Sequence, residues 1–304
     1  MSSETTNGGA PGRRQPAERR RISLSAALPL VFIGLFFLYV LAFLAGPAVS
    51  IFVQAFTSSD GGFTMHYVDQ LFGRYYAKAY LTTAALSAAT ALIAVVAGLL
   101  TAYQIQRPGT PEWLRNAVNS FAGVAANFAG IPLAFAFIST LGTQGMLTLW
   151  LKTVGLDIYG AGFSLFSFWG LVLTYLYFQI PLMVIIITPA LQGMRREWRE
   201  AALNLGGNGW HYWWHVGIPV LTPAVLASFI LLFGNAFASY ATPYALTSGL
   251  VPLVPIEIGN LMSGNVIADP QLGNALSLGM IVVMGAAMIL YTLLQKWAGR
   301  WQKR

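Results

Sequence analysis

The sequence predicts an all-α, polytopic membrane protein with six transmembrane helices. Charged residues make up only 9% of the 304 residues, whereas hydrophobic residues make up 56% and the mean hydropathy is +0.63. Soluble domains carry about 25% charged residues, so a surface this poor in charge suits lipid better than water. The net charge of +7 is also distributed in short clusters between long apolar runs, which is the pattern that sets topology in membranes.

Six stretches contain no Asp, Glu, Lys or Arg, namely 22–59, 79–106, 116–151, 158–194, 201–256 and 270–295. A helix that crosses a bilayer needs about 20 apolar residues, and each stretch is long enough to hold one. The apolar runs within them predict spans at about 26–48, 80–104, 118–142, 166–192, 221–245 and 273–295.

The basic residues predict the orientation of these spans. They gather at both ends of the chain and in the second and fourth connections: Arg13, Arg14, Arg19, Arg20, Arg21, Arg107, Arg115, Arg195, Arg196, Arg199, Lys296, Arg300, Lys303 and Arg304. The intervening connections hold only Arg74, Lys78 and Lys152. Because cytoplasmic loops collect Lys and Arg, both termini and these two connections are expected to face the cytoplasm.

The chain is expected to have two parts, a disordered basic cytoplasmic tail over 1–21 and a transmembrane domain over 22–304. The tail is rich in Gly, Pro, Ser and Arg, a composition that disfavours a packed core. A basic start before an apolar run also resembles a signal peptide. That run is too long for a signal core and no clear small-residue cleavage site follows, which favours an uncleaved first span.

The predicted spans carry no acidic or basic side chain in their interiors. Ion-coupled carriers commonly place charged residues there, so a secondary carrier is disfavoured and an external energy source is indicated. Five prolines, Pro132, Pro181, Pro189, Pro223 and Pro243, fall in or near the spans and predict kinks or breaks. Such breaks line pathways in transporters, although membrane helices also tolerate proline without any such role.

Five polar residues in spans three to five are the candidate translocation path: Asn127, Tyr175, Gln179, Asn235 and Tyr240. The alternative for each is a hydrogen bond to a neighbouring helix. His211 and His215 are four residues apart, which would suit a metal on a helix, but no third ligand accompanies them. Their aromatic neighbours favour an interfacial aromatic belt, and no metal site is predicted.

The fourth connection, about 195–219, contains the most informative motif. Trp198, Ala201, Ala202 and Leu205 fall on one side of a short amphipathic helix, where small alanines allow another surface to approach closely. Glycines at 206, 207 and 209 predict the end of that helix, since glycine readily adopts the left-handed conformation of a C-cap. A short helix joined by a sharp turn to a membrane span is suited to act as a lever.

This motif resembles the cytoplasmic signature of permeases of binding-protein-dependent ABC importers. That signature is Glu-Ala-Ala, three residues, Gly, nine residues, an aliphatic residue, one residue, Leu and Pro. The chain has Glu200-Ala201-Ala202, Gly206, and then Val216, Ile218 and Pro219 at that spacing, with Ile218 in place of Leu. The resemblance implies the type I ABC importer permease fold, with the first span added before the core.

The resemblance also implies a role and partners. In this family the loop is a coupling helix that docks on a cytoplasmic ATPase, so Glu200, Ala201, Ala202 and Gly206 would lie at that contact and Pro219 would start the next helix. Two ATP-binding subunits would hold ATP and Mg, an extracytoplasmic binding protein would deliver solute, and a second homologous permease would complete a heterodimer, with a homodimer as the alternative. The location implied is the bacterial cytoplasmic (inner) membrane.

This chain itself has no phosphate-binding glycine loop and no nucleophile–base constellation, so it is not expected to be an enzyme or to bind a cofactor. Its positive charges lie in short clusters between apolar runs, a distribution that argues against nucleic acid as a partner. The stretches Phe128–Phe137 and Tyr177–Met183 resemble spermidine/putrescine-type permeases and favour a polyamine as solute. Glu257 and Asp269, on the expected outer side, are placed to attract a cation or are ordinary solvated residues. Phosphonate, ferric ion and thiamine stay as alternatives, and the rival classes are an ion-coupled secondary carrier or a membrane scaffold.

Overall fold

A computed structural model describes residues 24–58, 60–263 and 269–302, and these residues are mostly helical. The expected tail over 1–21 lies outside the described residues, as do Lys303 and Arg304. The helices are α1 (Leu24–Ala55), α2 (His66–Leu71), α3 (Arg74–Ile105), α4 (Glu112–Asn127), α5 (Ile131–Leu141), α6 (Met146–Thr153), α7 (Phe168–Gln192), α8 (Arg196–Asn204), α9 (Gly209–Tyr212), α10 (Ile218–Phe237), α11 (Ala241–Thr247), α12 (Val254–Met262) and α13 (Pro270–Gln302). A π-helical turn over Trp213–Gly217 joins α9 to α10.

The chain divides into two units, residues 1–50 and residues 51–304. In the first unit the described part of α1 presents large apolar side chains at its surface, and Phe36 and Leu44 are 62% and 74% exposed. An apolar helix with such a surface is suited to hydrocarbon, because all of its backbone polar groups are satisfied internally.

In the described part of the chain, six segments are long and apolar enough to cross a membrane: Val31–Ala55, Arg74–Ile105, Ile131–Thr153, Phe168–Gln192, Gly209–Phe237 and Pro270–Lys296. The prediction of an all-α membrane protein with six spans is therefore confirmed. The first, second, fourth and sixth segments overlap the predicted spans closely.

The prediction of a continuous third helix over 118–142 is wrong. Helix α4 ends at Asn127 and α5 begins at Ile131, with Gly130 between them at a φ of +79°. Pro132 follows immediately and cannot donate a backbone hydrogen bond, so it fits the first turn of a new helix better than the interior of an old one. The apolar segment of membrane length consequently begins at Ile131 and extends through α6.

The prediction of a continuous fifth helix over 221–245 is also wrong. Helix α10 ends at Phe237, and α11 begins at Ala241 after a short turn. Pro243 lies in the first turn of α11, where its missing N–H would have no intrahelical partner in any case. Pro181 and Pro189 lie inside α7 and Pro223 lies inside α10.

The core of the second unit is built on close packing between α3 and α7. The buried residues of α3 recur every three or four positions and are mostly small: Thr83, Ser87, Thr90, Ala91, Ala94, Gly98 and Ala102. A Cβ atom added to Gly98 would lie only 2.6 Å from both Cβ and Cγ of Met183 in α7. Small residues are therefore required here for the two helices to approach each other, as in other membrane helix pairs.

Candidate coupling site and solute path

Helix α8 is a nine-residue amphipathic helix in the connection between the fourth and fifth membrane-length segments. Glu197 lies in its first turn, where a carboxylate interacts favourably with the helix dipole. None of its residues is buried, although Trp198 is only 36% exposed and Leu205, just beyond its end, is 88% exposed. A helix of this length gains little from propensity alone, so its position depends on how it is joined to the rest of the chain.

The turn after α8 is a Schellman motif. The Gly207 amide donates to the Ala202 carbonyl at 2.9 Å, and the Gly206 amide donates to the Leu203 carbonyl at 3.0 Å. These two bonds satisfy carbonyl groups that the end of the helix leaves free. Gly206 has a φ of +80°, a conformation that only glycine adopts at low cost. The glycine of the signature is therefore the residue that allows the chain to reverse.

The chain then enters the fifth membrane-length segment through two local devices. The Asn208 side chain accepts a hydrogen bond from the His211 amide at 3.0 Å and so caps α9. In the π-helical turn that follows, the Ile218 amide donates to the Trp213 carbonyl. Pro219, the second residue of α10, has no amide hydrogen, and the wider turn before it is a usual way for a helix to accommodate such a gap.

Trp213 ties this segment to the core of the second unit. Its ring meets the Tyr103 ring of α3 edge-on, with centroids 5.1 Å apart and planes at 82°. A Cβ added to Gly217 would lie 2.5 Å from the Trp213 ring, so only glycine leaves room for that indole. Because α8, the Schellman turn and the start of α10 form a short continuous path, a displacement of α8 is expected to reach α3 and α10.

An apolar groove of about 500 Å³ separates α8 from the start of the fifth segment. We call it the apolar groove. Trp198, Ala201, Ala202 and Leu205 line one wall, and His211, His215, Val216 and Val220 line the other. The two histidine rings stack with centroids 6.1 Å apart. The four residues predicted to share one side of α8 do line the same groove. The short side chains of the two alanines leave room there for another surface to approach the backbone of α8.

A second groove, of about 750 Å³, lies on the other side of α8. We call it the arginine groove, because Arg107, Arg195, Arg196 and Arg199 line it. The predicted coupling residues are thus distributed over several surfaces. Ala201 and Ala202 line the apolar groove, Glu200 lines the arginine groove, Gly206 forms the turn, and Pro219 lies in α10.

The five predicted path residues fall into two groups. Tyr175 and Gln179 of α7 are fully buried, and the Gln179 side-chain amide donates to the Thr90 hydroxyl of α3 at 3.1 Å. Gln179 therefore links α7 to α3 in this chain. Asn127, Asn235 and Tyr240 are exposed, and Tyr240 stacks on Tyr244 with ring centroids 5.2 Å apart.

The two helix breaks, each close to a proline that predicted a kink or break, lie side by side. The Gly130 amide donates to the Thr242 hydroxyl at 2.8 Å, across 112 positions of the chain. Asn127 ends the helix before the first break, and Tyr240 directly precedes α11 at the second. The breaks therefore bring exposed polar residues of the third and fifth segments into one region. No pattern in the sequence indicated this contact of Thr242. The N-cap role of Asn208 could have been predicted, because asparagine is a preferred N-cap residue and accepts a hydrogen bond from the amide three residues later.

These elements define a class of protein. Six membrane-length segments in the described residues, with two neighbouring helix breaks and a short amphipathic helix before the fifth segment, define a polytopic membrane protein. Residues 146–304 match the family of binding-protein-dependent transport system inner membrane components, and the chain belongs to this family. The family assignment drawn from the Glu-Ala-Ala signature is confirmed.

Individual relatives agree with this assignment. The chain is 29% identical over 177 residues to the probable sulfate transport system permease protein cysT of Nephroselmis olivacea, a match that covers 58% of each chain. It is 27% identical over 160 residues to the thiamine transport system permease protein ThiP of Escherichia coli, covering 53% of this chain and 29% of that one. The matched region thus spans little more than half of the first relative's length.

The fold has a counterpart among solved structures. The crystal structure of a bacterial ABC transporter involved in the import of the acidic polysaccharide alginate aligns with a TM-score of 0.67 at 18% identity, covering 92% of this chain and 96% of that chain. At this identity the likeness establishes the fold alone. The expectation of a type I ABC importer permease fold is confirmed.

Proposed function

We propose that this chain is the membrane subunit of an ATP-driven importer and that α8 couples it to a separate ATPase. The observation that carries the proposal is the geometry of the signature: an exposed amphipathic helix, a glycine-dependent turn, and a direct continuation into a membrane-length segment. Such a helix can transmit a displacement to the membrane part without containing any catalytic residue. ATP and Mg are bound by the partner subunits, and this chain is not an enzyme.

The assembly proposed contains two ATP-binding subunits, a second homologous permease, and an extracytoplasmic binding protein that delivers solute. The family's description as an inner membrane component of binding-protein-dependent systems supports the binding protein and the location. Both termini and α8 face the cytoplasm in this proposal. Exposed residues at the helix breaks, Asn127, Asn235 and Tyr240, face the partner permease and line the path, because a path between two permeases requires polar groups that are exposed on each one.

The test of coupling is charge reversal at Glu200. Glu200→Arg is expected to abolish co-purification of the ATPase and solute uptake while membrane insertion and the fold are unchanged, because a docking surface depends on charge complementarity. Glu197→Gln is the control, since Glu197 lies on the same helix but lines neither groove, and a neutral residue avoids a positive charge at the N-terminus of α8. Normal uptake and normal ATPase co-purification in Glu200→Arg would contradict the proposal, as would uptake by the reconstituted chain without any ATPase.

The solute proposed is small and polar, and three candidates are considered. The resemblance of two stretches to spermidine/putrescine-type permeases favours a polyamine. However, the two carboxylates suggested for attracting a cation have other partners: Glu257 accepts a hydrogen bond from the Tyr75 hydroxyl at 2.8 Å, and Asp269 accepts one from the Leu272 amide at 3.0 Å. The exposed residues at the breaks are uncharged and offer no counter-charge to a polycation.

A sulfate-type oxyanion is the second candidate, because a relative matched above is named for sulfate transport. Uncharged amides and hydroxyls at the breaks are groups that donate hydrogen bonds to such an anion. Thiamine is a further candidate through the other relative. Titration of the cognate binding protein with spermidine, sulfate and thiamine discriminates among them, and saturable binding of spermidine alone would exclude the oxyanion.

A further inference from the structure

The arginine groove has the composition of an anion site. Four arginines line it, and Glu200 is the carboxylate that faces them. Within the described residues the ion pair found is Lys152–Asp157, so none of these four guanidinium groups is neutralised by a carboxylate within 4.0 Å. A cluster of unpaired guanidinium groups around a concave surface favours binding of a phosphate-type oxyanion, which arginine contacts with two parallel hydrogen bonds.

A second observation at the same groove points to a ligand. The Nε2 atom of Gln106, which lines the groove, is buried and has no hydrogen-bond acceptor among the described residues. Leaving a buried donor unpaired is unfavourable, so an acceptor at this position is expected in the working protein. Arg107, the next residue, is held in place by the Tyr103 ring, with its guanidinium carbon 5.0 Å from the ring centroid.

The position of the groove indicates where the anion comes from. It lies beside Ile105 and Gln192, where the second and fourth membrane-length segments end. Lipid phosphate groups lie at this level of a bilayer, directly outside the hydrocarbon region. Tyr103, Tyr212 and Trp213 also line the groove, and such aromatic residues are enriched at the membrane–water interface. Basic pockets between membrane helices on the cytoplasmic side are suited to lipid head groups.

We infer that the arginine groove binds the phosphate group of an anionic phospholipid from the cytoplasmic leaflet. The lipid bridges the end of α3, through Arg107, to the start of α8, through Arg195 and Arg196. It thereby fixes α8 relative to the membrane part from the side opposite the apolar groove. This inference depends on the membrane location and not on the ATPase contact, so either can fail without the other.

The test uses the full-length chain in a neutral detergent, with phosphatidylglycerol or phosphatidylcholine of the same acyl chains added and retained lipid measured by native mass spectrometry. The wild type is expected to retain phosphatidylglycerol preferentially. Each arginine near a membrane surface contributes a factor of about five to the affinity for anionic lipid, so the double variant Arg107→Gln/Arg196→Gln is expected to bind about 25-fold more weakly. The variant Arg107→Lys/Arg196→Lys, which keeps both charges but loses the paired hydrogen bonds of arginine, is expected to bind more tightly than the Gln double variant and more weakly than the wild type.

The matched control is Arg74→Gln, because Arg74 is an exposed arginine at the opposite end of the same helix α3. It is expected to leave lipid retention unchanged, and gel filtration checks that each variant is folded. Equal retention of phosphatidylglycerol by the wild type and the Gln double variant would overturn the inference. Binding of inorganic phosphate without any preference for phosphatidylglycerol would also overturn it, since the groove would then serve a soluble anion. If the Gln double variant retained lipid normally but no longer bound the ATPase subunit, the inference would also be wrong, and the two arginines would belong to a protein contact.

Discussion

Replacing Gly206 by alanine tests whether the turn after α8 controls coupling. Gly206 has a φ of +80°, and no described heavy atom lies within 4 Å of the position that its Cβ would occupy. The cost of alanine is therefore conformational and not steric. A left-handed conformation costs an L-residue about 1–2 kcal/mol, which lowers the population of the Schellman turn by a factor of about 5–30.

The control is Gly209→Ala. Gly209 also has no described heavy atom within 4 Å of an added Cβ, but its φ is not in the left-handed region. Gly206→Asn is a partial rescue, because asparagine adopts that region more readily than alanine does. If the turn positions α8, solute-stimulated ATP hydrolysis by the assembled importer is expected to fall several-fold in Gly206→Ala, less in Gly206→Asn, and not at all in Gly209→Ala.

The turn can also be followed without the ATPase. The sequence contains no cysteine, so cysteines introduced at Leu203 and Glu112 would be the only thiols available for spin labels. The distance distribution between these labels is expected to broaden in Gly206→Ala and to stay narrow in Gly209→Ala. Identical distributions and identical ATP hydrolysis in the two alanine variants would refute the role assigned to the turn.

Three further predictions concern packing and charge. Gly98→Ala is expected to destabilise the protein by about 1–3 kcal/mol through overpacking, seen as a lower thermal midpoint in detergent. Gly123→Ala, in helix α4, is expected to leave the midpoint unchanged or raise it, because no described heavy atom lies within 4 Å of the added Cβ and alanine favours the helix. Gly217→Ala is expected to displace the Trp213 ring. The tryptophan fluorescence spectrum of this variant should then differ from that of the wild type. A hydrogen bond from the Gly160 amide and the charge of Lys152 lower the pKa of Asp157. The contacts of the Asp157 carboxylate with these two groups are therefore expected to form fully above the ordinary carboxyl pKa and to be lost as the pH falls through the lowered pKa. Asp157→Asn should remove this pH dependence from the amide exchange of Gly160.

The number of spans and most of their positions could be predicted because lipid exposure demands apolar residues over a fixed length. The prolines marked candidate breaks, but the sequence did not show which of them would end a helix: Pro132 and Pro243 lie at the start of new helices, whereas the other three lie inside helices. What makes the first break stable is the Thr242 hydroxyl, which comes from a segment 112 positions away. A pattern along the chain carries no information about such a partner.

The local structure of residues 195–219 was predicted better than the surroundings of the candidate path residues. Its helix, its terminating glycine and its proline are local features, and each depends on nearby backbone geometry. The path residues depend on which faces neighbouring helices cover, so Tyr175 and Gln179 proved to be buried between helices while Asn127 and Asn235 are exposed. The arginine groove could not be predicted from the sequence either, because it forms only where the ends of α3 and α7 lie beside α8.

Photo-crosslinking from Ala201 in intact cells tests the proposed coupling most directly. A benzoylphenylalanine placed at Ala201, in the wall of the apolar groove, is expected to form an adduct with the ATPase subunit, and the same group at Phe63, which is 78% exposed, is expected to form none. Absence of an ATPase adduct from Ala201 would contradict the proposal. So would labelling of an Ala201→Cys variant by a membrane-impermeant thiol reagent added outside the cell.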